Sequence, residues 1–67
     1  MTNKELIGQK LVALRGEKTR EEVAFSNGIS FSALAIYESG KRVPRDEIKI
    51  SLAKYYNQSI ESLFFSK

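Results

Sequence analysis

The strongest constraint on this chain is a pair of short helical signals set almost back to back between Thr19 and Gly40. Thr19-Arg20-Glu21-Glu22 reads as a capping box, in which the threonine hydroxyl accepts from the backbone of Glu22 and the Glu22 carboxylate reaches back. Val23 and Ala24 give a short inward face. Asn27-Gly28 then stops the segment, because glycine takes the left-handed conformation at low cost. Ile29 places an apolar side chain in the turn, Ser30 is a good N-cap, and a second segment runs over 31–39 until Gly40 ends it.

Helical periodicity flanks this corner on both sides. Ile7, Leu11 and Leu14 fall on one stripe and predict a helix over 4–17, with Lys4, Lys10 and Glu17 off it. Past Lys41-Arg42-Val43-Pro44, a loop, a fourth helix is expected over 46–56. Asp46 and Glu47 suit its positive end, and Ile48, Leu52, Ala53 and Tyr56 form its apolar side. Asn57 can close it, and Ser59 caps a short last helix carrying Ile60, Leu63 and Phe64. Of the four glycines, Gly8, Gly16, Gly28 and Gly40, three stand where helices should end. With no repeat, low-complexity tract or linker in view, residues 1–67 read as one all-α domain of five short helices.

Composition narrows the chemistry. The chain has no cysteine and no histidine, which removes disulfides, thiolate metal sites, the commonest metal ligand and the commonest general base. Glu21 and Glu22 are adjacent and diverge on a helix and 67 residues leave no room for a useful cleft, so an enzyme is not expected; carboxylates alone could still hold a metal, but nothing in their spacing suggests it, and no cofactor or small-molecule ligand is expected. No apolar run approaches the ~20 residues of a membrane helix. Met1-Thr2-Asn3-Lys4-Glu5 lacks a following apolar core, so no secretory leader is read and a reducing cytoplasm is the simplest compartment. The net charge of +3 is compatible with nucleic acid but common among proteins of other kinds.

A helix, a short turn containing glycine and a second helix make the helix-turn-helix signature, placed here at about 19–39. The stretch from Thr19 to Pro44 closely resembles the Cro/repressor (XRE-type) helix-turn-helix family, through Glu22-Val23-Ala24, Gly28-Ile29-Ser30, Leu34, and Tyr37-Glu38-Ser39-Gly40-Lys41 with Pro44 after it. The likeness extends to Leu14-Arg15 and to Ser59-Ile60-Glu61-Ser62-Leu63-Phe64, nearly the whole chain. It implies a compact five-helix lambda-repressor-like domain that binds DNA and regulates transcription as a repressor. Most of the shared residues are scaffold: Ala24 permits a close crossing, Ile29 plugs the angle between the helices, and Leu34 and Tyr37 anchor the third helix. The resemblance also implies a structural pair between Arg15 and Glu38, although the link between the first two helices is shorter than the common family spacing.

In such proteins the third helix lies in the major groove with its first residues at base edges. Carried onto this chain, the base-facing positions are Phe31, Ser32, Ala35 and Ile36. At ~100° per residue, Ser32, Ile36 and Ser39 point away from the Leu34/Tyr37 face. Phe31 lies nearer the core side and either reaches DNA or folds back as packing. Family members often carry Gln, Arg, Lys or Asn on this stripe; here only Ser32 and apolar groups are offered, which suits thymine methyls and shape readout. Thr19 and Arg20, at the start of the second helix, and Ser39, Lys41 and Arg42, on the other side of the groove, are the expected phosphate contacts. Neutralising about four to six phosphates gives a log–log salt slope of about −0.9 per phosphate.

The partner expected is double-stranded DNA bearing a palindromic operator, bound by a homodimer, with Tyr55, Phe64 and Phe65 as candidate dimer contacts, although Phe64 also suits the core beside Leu63 or Ile60. The competing reading is a protein-interaction module of the same fold, antirepressor- or antitoxin-like, that uses the apolar face of the third helix.

Overall fold

In a computed structural model, which describes residues 2–65, local capping chemistry sets nearly every boundary. Helix α1 (Asn3–Arg15) begins at a complete capping box: the Thr2 hydroxyl accepts from Glu5 N at 3.2 Å and Thr2 N donates to the Glu5 carboxylate at 2.9 Å. It ends two residues before the expected limit of 17, because Gly16 turns out of the helix at φ +58°. Helix α2 (Arg20–Ser26) starts at Thr19, whose hydroxyl accepts from Glu22 N at 3.1 Å. Among the described residues the return bond from the Glu22 carboxylate is not formed, so half of the expected box is present. Helix α3 (Phe31–Glu38) starts at Ser30, which accepts from Ala33 N at 3.0 Å. Helix α4 (Asp46–Tyr55) follows the extended loop, and Ser59 accepts from Ser62 N at 2.9 Å to begin a C-terminal π-helical turn, Glu61–Phe65.

Three helices share one manner of ending. In α2, α3 and α4 the chain turns through a left-handed residue, Gly28 (φ +67°), Gly40 (φ +80°) and Asn57 (φ +57°). The next backbone N–H then folds back onto the helix: Ile29 N to Ala24 O, Lys41 N to Ile36 O and Gln58 N to Ala53 O. These are Schellman closures, which satisfy carbonyls that helix ends otherwise leave open.

Each element sends one side inward. Ile7 and Leu11 of α1, Val23 and Ala24 of α2, Leu34 and Tyr37 of α3, Leu52 and Ala53 of α4, and Leu63 and Phe64 of the last turn make one core. Leu14, Ile29, Ile48 and Tyr56 pack against its edge. Burying a side chain of Leu or Phe size stabilises by about 1.5–3 kcal/mol, so a helix as short as α2 is held by its neighbours rather than by its own propensity. All regular structure among the described residues is helical, in five elements, and none of these helices is long and apolar enough to cross a membrane.

Two hydrogen-bonded side chains and one glycine join the elements to one another. Asn27, the C-cap of α2, is buried; its Nδ2 donates to Val23 O at 2.8 Å and its Oδ1 accepts from the Ser51 hydroxyl of α4 at 2.6 Å. Gly8, inside α1, lies where a Cβ would stand 2.6 Å from the Glu38 carbonyl oxygen, so its lack of a side chain lets α1 pass directly over the end of α3. Lys10 Nζ donates to Ser62 O at 2.9 Å and ties α1 to the C-terminal turn.

Candidate functional site

The α2–turn–α3 corner holds one face of α3 and leaves the other at the surface. Leu34 and Tyr37 are buried, Ala35 is half-buried, and Ser32 is exposed with no side-chain hydrogen bond among the described residues. Ile36 keeps 36% of its surface and Phe31 45%. Phe31 is thus neither fully turned in nor fully turned out. The expected outward stripe of Phe31, Ser32 and Ile36, with Ala35 at its side, lies on one surface of the molecule.

Glu38 holds the arginine expected beside it, Arg15, together with one that was not, Arg20. Glu38, on the last turn of α3, has a side chain only 1% exposed, and its two oxygens serve two arginines. Arg15 Nε donates to Oε2 at 2.9 Å, while Arg15 Nη1 donates to Lys18 O at 2.9 Å and pins the link between α1 and α2. The shorter link therefore still delivers Arg15 to Glu38. Arg20 Nε donates to Oε1 at 2.7 Å, a contact the resemblance does not imply. Arg–carboxylate bonds of this kind are among the stronger and more directional side-chain pairs.

The Arg20–Glu38 bond also brings the start of α2 to the end of α3 where Ser39, Lys41 and Arg42 follow. Lys41 and Arg42 are exposed. The Thr19 hydroxyl accepts from Glu22 N, which leaves its own O–H able to donate outward. Ser39 differs: its hydroxyl donates to Ile36 O at 2.8 Å, so its proton is already used on the helix end and a phosphate contact would have to break that bond.

The Tyr56 hydroxyl is buried without a hydrogen-bond partner among the described residues. Burial first, then the negative charge of Glu38, pushes its pKa up to about 12.

The three aromatics expected at a dimer contact separate. Phe64 is core, 1% exposed, because the C-terminal turn lays it and Leu63 inward, so it is withdrawn as an interface residue. Tyr55 is half-buried and meets the edge of Tyr56 with ring centroids 5.0 Å apart. Phe65 stays 59% exposed, with the Lys49 ammonium 4.8 Å from its ring centroid. Phe25, singled out by no motif, is 88% exposed on α2. Its signal in the sequence is a large aromatic just beyond the inward pair Val23-Ala24.

No family model, curated protein or solved structure matches the chain.

Proposed function

We propose that this protein is a helix-turn-helix DNA-binding regulator of the Cro/repressor type, a transcriptional repressor without enzymatic activity that works in the cytoplasm. The observation that carries the reading is α3. One side of it is fixed in the core by Leu34 and Tyr37, while Phe31, Ser32 and Ile36 stand at the surface of a corner whose exit carries Lys41 and Arg42. A helix held in this way can enter a major groove, which admits an α-helix and displays a different pattern for each base pair. Ser32 offers one hydrogen-bonding group, Ile36, Ala35 and Phe31 suit thymine methyls, and Thr19, Arg20, Lys41 and Arg42 supply phosphate contacts. Dimerisation on two half-sites falls to Tyr55 and Phe65.

The test is binding to random-sequence duplex DNA at low and moderate salt, followed by selection of the best-bound sequences. Salt-sensitive binding that enriches a two-fold site is the expected result. Weak binding that enriches nothing favours a second reading, a protein-interaction module of the same fold.

A further inference from the structure

We infer that Glu38 is a positioning residue for phosphate binding: it holds Arg20 in a fixed orientation as a preorganised phosphate ligand, and Arg15 neutralises it so that the charge of Arg20 remains available. This rests on the DNA-binding reading above and deepens it.

The argument begins with the asymmetry of the two arginines. Arg15 is bound at both ends of its guanidinium, to Glu38 and to Lys18 O, and its side chain is 18% exposed. Arg20 is bound only through Nε, and its side chain is 40% exposed. A guanidinium is planar and carries its five N–H donors in a rigid fork, so a bond at Nε sets the plane in which the two Nη groups lie. Among the described residues those Nη groups have no partner. A surface arginine that binds phosphate must normally give up rotamer freedom; one already held by a buried carboxylate has lost most of it beforehand.

Charge explains why two arginines share one acid. A single Arg20–Glu38 pair would be neutral and would attract a phosphate weakly. With Arg15 on the second oxygen, one carboxylate faces two guanidinium groups and the cluster stays at net +1. Lysine at position 20 would keep the charge but not the fork, because its ammonium is a point charge on a flexible stem.

The experiment is a double-mutant cycle on affinity for a random-sequence DNA duplex at fixed low salt, with wild type, Arg20→Met, Glu38→Gln and the double variant, each first shown to be helical by circular dichroism. Arg20→Met is expected to weaken binding about tenfold in the wild-type background and no more than about twofold with Glu38→Gln present, a coupling within the range for residues of one ion-pair network. Equal losses in both backgrounds would leave Glu38 a structural residue and overturn the inference. So would tighter binding by Glu38→Gln, which would mean that the carboxylate withholds Arg20 from DNA. If Glu38→Gln does not fold, the Arg20 Nε–H resonance of the wild-type protein decides: it should persist with little shift when duplex is added, and its loss would mean that phosphate replaces the carboxylate. A wild type that binds no duplex overturns the DNA-binding reading and this inference together, whereas a wild type that binds with additive variants overturns the inference alone.

Discussion

Gly8 in the middle of α1 lies against the backbone carbonyl of Glu38 at the end of α3, so closely that a Cβ would stand 2.6 Å from that oxygen and 3.0 Å from Gly40 N. Two effects therefore oppose one another in Gly8→Ala. Helix propensity favours alanine by about 1 kcal/mol. The clash is with backbone, which has no rotamer by which to escape, and overpacking of this kind costs about 1–3 kcal/mol. The clash is expected to win, and urea denaturation should place Gly8→Ala below wild type. Equal or greater stability would mean that α1 lifts away from α3 at little cost.

The Asn27–Ser51 bond joins the corner to α4. Ser51→Ala is expected to cost about 1 kcal/mol and Asn27→Ala about 1–3 kcal/mol, the larger figure because Val23 O also loses a buried partner. Chemical denaturation of both variants and of the double variant should return a positive coupling. Strict additivity would remove the bond from any account of how α4 is held.

Much of the fold follows from local chemistry and is legible for that reason. Ser30, Gly28, Gly40 and Asn57 act on groups within five residues of themselves, and each does what its residue type suggests. Thr2 and Glu5 have the same spacing as Thr19 and Glu22, and starting α1 at residue 4 overlooks it. Asn27 reads as a helix stop, but its bond to Ser51 spans 24 residues and has no local signal. The same holds for Gly8, which reads as a weak point in a helix until the end of α3 is placed across it. At the candidate site, the exposed stripe of α3 follows from helical period alone. The reach of Arg20 to Glu38 depends on the crossing of two helices and has no local signal.

The apolar stripe gives the DNA-binding reading a chemical signature. Uracil lacks the C5 methyl of thymine and keeps its hydrogen-bonding edge. If Ile36 and Phe31 pack on such methyls, replacing thymine by uracil in a selected duplex should weaken binding by about fourfold per contact, following ~0.8 kcal/mol per buried methyl-sized group. Ile36→Ala should shrink the difference. Fluorescence anisotropy on the matched duplexes measures both, and equal affinity for the two would exclude methyl readout.

Tyr56 links stability to alkaline pH. Its folded-state pKa, about 12, stands above the ordinary 10.0, so the folded protein favours the neutral phenol. That contribution is whole below pH 10 and is lost as pH rises through about 12, at up to about 1.4 kcal/mol per unit. Tyr56→Phe deletes a buried hydroxyl that has no partner among the described residues. It is expected to be as stable as wild type at pH 7, or more so by about 1 kcal/mol. Thermal melts of both proteins from pH 8 to 11.5 should show a smaller alkaline loss in the variant; parallel curves would mean that the phenol is wet.

The corner between α2 and α3 also sets how the protein ages. Asparagine followed by glycine is the dipeptide most prone to cyclise, through attack of the glycine nitrogen on the asparagine amide carbon. In the folded chain both reactants are restrained: Gly28 N donates to Phe25 O, and the Asn27 amide is held by Val23 O and Ser51. Release of both requires the corner to open, so deamidation at this pair counts the time the corner has spent open. The succinimide forms with loss of ammonia and is opened by water to isoaspartate or aspartate, whose carboxylate has no side-chain N–H to donate to Val23 O, which makes each chemical event a step toward the next opening.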